Sequence, residues 1–123
     1  MTEKPFGLII EDEEDLSIIF SEALKNADFR TEIIRDGQVA MDVLAKVAPD
    51  VVVLDINLPH VSGKEILRYL HSDPRLSNTK VLVVTADAAS AEMLESEADL
   101  ILVKPVSFVH LGALAARLGS VIS

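Results

Sequence analysis

The chain has 123 residues, 50% of them hydrophobic and 25% charged, and this composition is typical of one globular domain rather than of a disordered chain. Twenty acidic residues against eleven basic ones give a net charge of -9, which disfavours nucleic acid and anionic lipid as ligands. The absence of cysteine excludes a disulfide scaffold, a thiolate-bound metal and thiol catalysis.

No targeting or membrane segment is expected. The longest apolar run is far shorter than a membrane span. Residues 1–6 carry acidic and proline residues before any apolar stretch, which is not the pattern of a signal peptide. We therefore expect a cytoplasmic protein in which residues 1–123 form one domain.

The first half of the chain alternates apolar runs with helical patterns. Phe6–Ile10 has the length and composition of a buried strand, and residues 15–27 place apolar side chains along one helical face. Residues 29–34 alternate apolar and charged positions, which predicts a strand with one wetter face. An Asp-Gly turn then precedes a predicted helix at residues 38–47. Its apolar side chains are expected to face inward: Val39, Val43, Leu44 and Val47.

The second half continues this alternation. Unbroken runs of branched apolar residues predict three buried strands, at residues 51–54, 81–84 and 100–103. Helical patterns predict three helices, at residues 64–71, 88–98 and 107–118. Residues 72–79 are predicted to be a polar connection.

Five strands, each followed by a helix, predict one α/β layer structure. Nearly continuous apolar strands indicate a parallel sheet that helices cover on both faces. The chain is too short for an eight-stranded barrel of about 250 residues. An open doubly wound sheet remains, and in such folds the ligand site lies at the carboxyl ends of the strands.

The residues that directly follow the strands have side chains that can bind a metal ion or take part in a reaction. Glu11 and Asp12 follow the first strand, Asp55 the third, Thr85 the fourth and Lys104 the last. Considered by itself, each of these residues has an ordinary structural explanation, such as an aspartate at a helix start or in a turn, or a solvated lysine. Because parallel strands end at one edge of the sheet, we expect these side chains to lie together.

The chemistry of this set is coherent. Clustered carboxylates repel one another unless a cation lies among them, and oxygen ligands without His or Cys suit Mg²⁺ or Mn²⁺. A carboxylate can also act as a nucleophile and form an aspartyl phosphate. Lys104 and the Thr85 hydroxyl could then stabilise the phosphoryl oxygens together with the metal.

In these residues the chain resembles the receiver domains of two-component response regulators, over nearly its whole length. The matching pieces are, in chain order, residues 8–13, residues 49–55, Leu58-Pro59 with Gly63, residues 83–86, and Lys104-Pro105. No single piece is specific, but five pieces in this order are. The resemblance implies a flavodoxin-like doubly wound (βα)5 fold, with a five-stranded parallel sheet of order 2-1-3-4-5 and helices on both faces.

The resemblance also implies a metal site. Asp12 and Asp55 would bind Mg²⁺ directly, with Mn²⁺ as a possible substitute. The backbone carbonyl of Asn57 would be a further ligand, and Glu11 would act through a water molecule. No other cofactor is implied.

The resemblance implies three roles in phosphoryl transfer. Asp55 would accept the phosphoryl group, Thr85 would move toward it and hydrogen-bond it, and Lys104 would pair with Asp55 or with a phosphoryl oxygen. The Lys104-Pro105 peptide bond is a candidate for the cis form. Asn57 and Asp87 occupy positions that tune dephosphorylation in the family.

The sequence departs from the family pattern near the last strand. Ile101 stands where the family usually has the Tyr or Phe switch residue, and the segment before it is shorter by about one helical turn, 3–4 residues. Glu97 and Val106 replace the usual Gly and Phe. Because the fourth helix, last strand and last helix form the usual output and dimer face of the family, we do not expect the common dimer mode.

The function implied is a signalling switch in a phosphorelay. Mg²⁺-dependent transfer from a phosphohistidine on a histidine kinase or histidine phosphotransfer protein to Asp55 would change partner binding. The output would pass to a downstream protein or a fused output domain, without direct contact with nucleic acid or membrane. No enzymatic activity is expected apart from self-phosphorylation and autodephosphorylation at Asp55.

Two other functions stay open. A phosphorylation-independent interaction module on the same fold predicts that Asp55→Asn leaves partner binding unchanged. A phosphohydrolase with an aspartate nucleophile commonly has a second aspartate two residues later, where Asn57 stands, and no cap insertion is present. The histidines share no metal-ligand spacing, and none is predicted to be a ligand: His60, His71 and His110.

Overall fold

The computed structural model describes residues 4–122. Residues 1–3, part of the segment that is predicted not to be a signal peptide, therefore lie outside the described residues. Five parallel strands form one sheet of order β2-β1-β3-β4-β5, and the doubly wound fold is confirmed. The elements are, in chain order, β1 (Phe6–Ile10), α1 (Glu14–Asn26), β2 (Arg30–Ile34), α2 (Gly37–Leu44), β3 (Val51–Asp55), α3 (Gly63–Ser72), β4 (Lys80–Thr85), α4 (Ala88–Leu94), β5 (Leu100–Val103) and α5 (Phe108–Ile122).

The register of the sheet aligns the strand ends. Ile10 at the end of β1 pairs with Leu54 in β3, and Asp55 pairs with Val84 in β4. Thr85 at the end of β4 in turn pairs with Val103 at the end of β5. The residues that leave these four strands therefore emerge side by side at one edge.

The hydrophobic core has one layer on each face of the sheet. Alternating side chains along a strand point to opposite faces, so Leu8 and Ile10 pack beneath α2, α3 and α4, whereas Ile9 packs beneath α1 and α5. All five residues of β3 are buried, as expected for a central parallel strand covered on both faces. Burial on both faces holds the end of β3, which carries Asp55, in place.

Helix α2 differs from its prediction. It ends at Leu44 rather than at residue 47, and the guanidinium of Arg75 donates a hydrogen bond to the Leu44 carbonyl at this end. Ala40 and Leu44 are its buried apolar residues. They are one helical turn apart and therefore lie on the same face of the helix. The prediction that Val39 and Val47 face inward is wrong, since they are 48% and 40% exposed.

Helix α4 is shorter than predicted, ending at Leu94 rather than at residue 98. Leu94 is its only fully buried side chain, so little apolar surface holds this helix on the sheet. The predicted polar connection at residues 72–79 contains a 3₁₀ turn, Pro74–Leu76, that buries Leu76 in the core. The remaining predicted helices and strands are present, with ends that differ by up to four residues.

Among the described residues, no helix combines the length and the apolar character that crossing a membrane requires.

Candidate functional site

Three carboxyl groups meet at the carboxyl edge of the sheet. Glu11 and Asp12 follow β1, and Asp55 is the last residue of β3. Each offers an oxygen, and these oxygens lie within 4.8 Å of one another. Glu11 and Asp55 are buried, whereas Asp12 is exposed, so the cluster has an inner wall and an open side. The predicted proximity of these residues is thus a feature of the structure.

Lys104 supplies the positive charge of the cluster. Its Nζ lies 3.5 Å from Asp55 Oδ2 and 3.9 Å from Glu11 Oε1, and its side chain is 25% exposed. Its backbone N–H donates to the Thr85 carbonyl at 2.8 Å, which extends the pairing of β5 with β4. The following peptide bond to Pro105 is cis, as the resemblance implied.

The turn after β3 fixes the Asp55 side chain. Asp55 Oδ1 accepts a hydrogen bond from the Asn57 N–H at 2.9 Å, which leaves Oδ2 to face Lys104. Gly63, the first residue of α3, packs directly against this turn. A Cβ at Gly63 would lie 2.5 Å from Ile56 Cα and 2.7 Å from the Asp55 carbonyl oxygen, so a side chain there would push on rigid backbone. The glycine therefore lets α3 begin next to the site.

Thr85 connects the site to α4. Its side chain is fully buried, and its Oγ1 accepts a hydrogen bond from the Asp87 N–H at 3.2 Å. Asp87 is the N-cap of α4, where its carboxylate accepts from the Ala89 N–H at 3.0 Å and from the Ser90 hydroxyl at 3.0 Å. Sequence reasoning missed this capping role, although an aspartate directly before a helical pattern is its usual signal.

Glu11 has an unusual electrostatic environment. Burial, together with the neighbouring Asp55 carboxyl, raises the pKa of Glu11 from 4.5 to about 8, against the opposing effects of the Glu13 N–H and Lys104. Glu11 Oε2 accepts a hydrogen bond from that N–H at 3.1 Å, but Oε1 is buried and accepts none from the described residues. A buried carboxyl oxygen of this kind needs a proton or a cation. The donor set therefore fits a hard divalent cation.

Other predicted residues lie outside the carboxylate cluster. The Asn57 side chain is exposed in the turn after Asp55. His60 pairs with Asp36, with 2.9 Å between Nδ1 and Oδ2, and His71 contacts the Glu97 carbonyl oxygen. Within residues 4–122, the carboxylate cluster is the one group of potential metal ligands, and it contains no histidine.

Ile101 packs on the core. It is partly buried and contacts the layer beneath α2, α3 and α4. Ile101 and Val103 also line an open groove between α4 and β5. The departure from the family pattern therefore changes the surface between α4 and β5 rather than the carboxylate cluster.

Comparisons with known proteins show which family and which structures this chain resembles. The family model for the response regulator receiver domain matches residues 8–116. The polar-differentiation response regulator DivK of Brucella anthropi is 33% identical over 85 residues, which cover 69% of each chain. The receiver domain of a signal transduction histidine kinase from Syntrophus aciditrophicus superposes with a TM-score of 0.83 at 28% identity, covering 97% of this chain and 92% of that one. The Mn²⁺-bound form of response regulator Rcp1 has a TM-score of 0.77 at 26% identity, covering 94% and 92%.

Proposed function

This chain belongs to the response regulator receiver domain family, and on that premise we propose that Asp55 accepts a phosphoryl group from a phosphohistidine. The donor would be a histidine kinase or a histidine phosphotransfer protein. Receiver domains act in two-component signalling and are generally not enzymes. We propose that turnover here is limited to phosphorylation and autodephosphorylation of Asp55.

One observation supports the proposal most directly. Asp55 is 2% exposed, yet its Oδ2 lies 3.5 Å from the Lys104 ammonium and its carboxyl group adjoins those of Glu11 and Asp12. A purely structural salt bridge would not need two further carboxyl groups beside it, because they repel Asp55. A site that receives a cation and a phosphoryl group explains all four residues together.

The proposed transfer is a displacement at phosphorus. A carboxylate oxygen of Asp55 forms the new P–O bond while the P–N bond to the donor histidine breaks. The electron pair of that bond goes to the imidazole nitrogen, which takes up one proton from solvent, so that the donor returns as neutral histidine. Lys104 faces Asp55 Oδ2 and would stabilise the negative charge of the phosphoryl oxygens that arrive there, and the Asn57 N–H holds the other carboxyl oxygen of Asp55 in position.

We propose that the site holds Mg²⁺, with Mn²⁺ as a substitute. Asp12, Asp55 and the backbone carbonyl of Asn57 would hold the ion, and Glu11 would act through a water molecule. When bound, the ion would neutralise the carboxyl groups and the phosphoryl oxygens. Two observations support this assignment: Glu11 Oε1 accepts no hydrogen bond from the described residues, and the structurally similar Rcp1 has a Mn²⁺-bound form.

The proposed switch starts at Thr85. A hydroxyl drawn toward a phosphoryl group on Asp55 would weaken its hydrogen bond to the Asp87 N–H, and Asp87 is the N-cap of α4. Since α4 buries only Leu94 fully, a small change at its cap can shift its position or its order. This connection does not require an aromatic residue at position 101.

Intact mass after incubation with Mg²⁺ and acetyl phosphate tests the phosphoacceptor assignment. We expect one added phosphoryl group on the wild type, none on Asp55→Asn, and none when EDTA is present. Asp42→Asn, an exposed substitution on α2, is the matched control and should behave like the wild type. Phosphorylation of Asp55→Asn to the wild-type extent would refute Asp55 as the acceptor.

The wider setting is proposed on the same premise. Residues 1–123 would form one receiver domain that works in the cytoplasm and acts through a downstream protein or a fused output domain. A partner that binds wild type and Asp55→Asn equally, with and without a phosphodonor, would instead favour the phosphorylation-independent interaction module.

A further inference from the structure

The turn between β3 and α3 is held at both ends by glycines. A Cβ at Gly63 would lie 2.5 Å from Ile56 Cα, so α3 begins directly against the start of the turn. A Cβ at Gly37 would lie 2.4 Å from the Val61 carbonyl oxygen and 2.9 Å from Val61 Cβ, so α2 begins directly against its end. Neither contact leaves space for a side chain. Residues 56–62 are therefore enclosed between the starts of two helices.

His60 lies in this turn with an unusual backbone conformation. Its φ is 65°, in the left-handed region that residues other than glycine seldom adopt. Such a conformation costs free energy and persists where the surrounding contacts hold it. Since the His60 side chain is 74% exposed, packing in the core does not supply that contact. The contact comes from a partner on the surface.

Asp36 is this partner. Its Oδ2 lies 2.9 Å from His60 Nδ1, and the imidazole nitrogen donates the hydrogen bond because a carboxylate can only accept one. Its Oδ1 accepts from the N–H groups of Gln38 and Val39, at 2.8 and 3.2 Å, and so caps α2. The hydrogen bonds from Val39 and from His60 hold the pKa of Asp36 below its ordinary value. One carboxylate thus fixes both the start of α2 and the turn after β3.

The turn that contains His60 also carries Asn57. The Asn57 N–H donates to Asp55 Oδ1 at 2.9 Å, at the start of the turn. The Gly63 N–H donates to the Ile56 carbonyl at 3.2 Å, which closes the turn. In so short a closed turn, a change of backbone conformation at His60 alters the backbone at Asn57.

We infer that His60 is a positioning residue, whose hydrogen bond to Asp36 holds the turn after β3 in the conformation that the site requires of the Asn57 backbone. We call this pair the Asp36–His60 clamp. The inference deepens the proposed function and rests on it, because Asn57 is proposed to give its carbonyl to Mg²⁺ and its N–H to Asp55. Loss of the clamp should weaken Mg²⁺ binding and slow phosphorylation of Asp55.

Two substitutions at His60 separate the hydrogen bond from the backbone conformation. His60→Gly removes the donor and tolerates a left-handed backbone. His60→Asn also tolerates it, and its Nδ2 lies as many bonds from the backbone as Nδ1 of histidine, so it can donate to Asp36 in the same way. Both variants lack the imidazole, so their comparison is matched in charge. His110→Asn, at an exposed position on α5, is the remote control and should behave like the wild type.

Amide ¹⁵N relaxation in EDTA measures the turn itself. We expect the heteronuclear NOE of Asn57, Leu58 and Val61 to fall in His60→Gly, because the turn becomes mobile when its hydrogen bond to α2 is lost. His60→Asn should keep the wild-type values. Unchanged relaxation in His60→Gly would overturn the inference, since the hydrogen bond would then not hold the turn.

Titration with Mg²⁺, followed through amide NMR shifts, measures the consequence at the site. We expect a dissociation constant roughly threefold higher for His60→Gly than for the wild type, a modest change because the pair is exposed. His60→Asn should restore the wild-type affinity. Urea unfolding of the same variants gives their stability. A loss of stability in His60→Gly with unchanged Mg²⁺ affinity would show a merely structural role and refute the inference.

A double-mutant cycle assigns the effect to the pair. Asp36→Ser keeps an oxygen for the N–H groups of α2, because serine is a common N-cap, but has no second oxygen for His60. We expect Asp36→Ser to raise the Mg²⁺ dissociation constant as His60→Gly does, and the double variant to bind no more weakly than either. Independent, additive losses would contradict the clamp.

Phosphorylation by acetyl phosphate separates this inference from the proposed function. We expect His60→Asn to take up the phosphoryl group at the wild-type rate and His60→Gly roughly threefold more slowly. If the wild type takes up none while relaxation and Mg²⁺ affinity change as expected, the clamp stands and the phosphoacceptor proposal falls. If the wild type is phosphorylated but relaxation and Mg²⁺ affinity are the same in all three proteins, the clamp falls and the phosphoacceptor proposal stands.

Discussion

Glu11 is the residue of the site whose ionisation depends most on its surroundings. Its carboxyl group is fully buried beside Asp55, and its Oε1 accepts no hydrogen bond from the described residues. Lys104 at 3.9 Å compensates only part of the negative charge, since it lies closer to Asp55. In the absence of a metal, ionisation of Glu11 therefore opposes folding.

The pH dependence of stability tests this view of Glu11. Its pKa is raised from 4.5 to about 8, so the folded protein keeps a proton that the unfolded chain releases between these values. The metal-free protein should lose stability as pH rises through that window. Glu11→Gln should flatten this dependence and be more stable at pH 8 by on the order of 1 kcal/mol. Urea unfolding in EDTA at pH 6 and pH 8 measures both effects.

An exposed glutamate provides the control for this experiment. Glu22→Gln on α1 should keep the pH dependence of the wild type, because its side chain is exposed. If Glu11→Gln also keeps the full dependence, the buried charge at Glu11 is not its source.

At the scale of the element, α3 begins beside the end of β3, where Asp55 lies. The Ser62 hydroxyl caps α3 by accepting from the Glu65 N–H, and the next residue, Gly63, contacts the backbone of Asp55 and Ile56. The start of α3 and the position of Asp55 are therefore set by the same packing contact. A change at Gly63 should affect both.

Two glycine-to-alanine substitutions test this contact. Gly63→Ala should destabilise the protein by about 1–3 kcal/mol, because the new Cβ meets rigid backbone at 2.5 Å. Gly112→Ala in α5 meets nothing within 4 Å and should stabilise by up to about 1 kcal/mol through helix propensity. Urea unfolding of both variants gives the comparison. A Gly63→Ala protein as stable as Gly112→Ala would contradict the close packing of α3 against the turn after β3.

Helix α4 should be the least stable element near the site. Only Leu94 of its seven residues is fully buried, and Asp87 supplies the caps for its first turn. Asp87→Ala should therefore weaken α4 by about 1 kcal/mol and speed exchange of its amide hydrogens. Hydrogen exchange followed by NMR measures this residue by residue.

Asp36→Ala is the matched control, because Asp36 caps α2 in the same way through the Gln38 and Val39 N–H groups. It should speed exchange in α2 and leave α4 unchanged. Slow exchange throughout α4 in Asp87→Ala would show that the cap does not control this helix.

At the scale of the whole molecule, the site concentrates negative charge in a chain that already carries a net charge of -9. Added salt should stabilise the fold generally by screening this repulsion. A divalent cation bound among Glu11, Asp12 and Asp55 should stabilise it further, because the ion binds the folded state and not the unfolded chain.

Mg²⁺ should therefore raise the free energy of unfolding beyond the effect of NaCl at equal ionic strength. At tenfold excess over its dissociation constant, the gain should be about 1.4 kcal/mol. Asp12→Asn removes an exposed carboxylate of the cluster and should abolish most of this specific gain, whereas Asp42→Asn on α2 should keep it. Thermal unfolding with both salts measures the difference, and equal stabilisation by the two salts would argue against a specific ion site.

The strands were the most predictable part of the fold. Four unbroken apolar residues at 51–54 indicated a strand buried on both faces, and all of β3 is buried. Helix ends were less predictable, because they depend on contacts made far along the chain. Helix α2 ends at Leu44, whose carbonyl accepts a hydrogen bond from Arg75. The local pattern of apolar residues, which continues to Val47, does not indicate this contact.

The order of elements, the fold class and the placement of Glu11, Asp12, Asp55, Thr85 and Lys104 at one edge of the sheet could be predicted from the sequence. Periodic burial is a local property, and parallel strands must end at a common edge. The interactions of these groups could be seen only in the folded chain: Glu11 Oε1 has no donor among the described residues, Thr85 binds the N-cap residue of α4, and a groove opens beside β5. The physical reason is that hydrogen bonds, pKa shifts and grooves depend on distances of a few ångströms between residues that lie far apart in the chain.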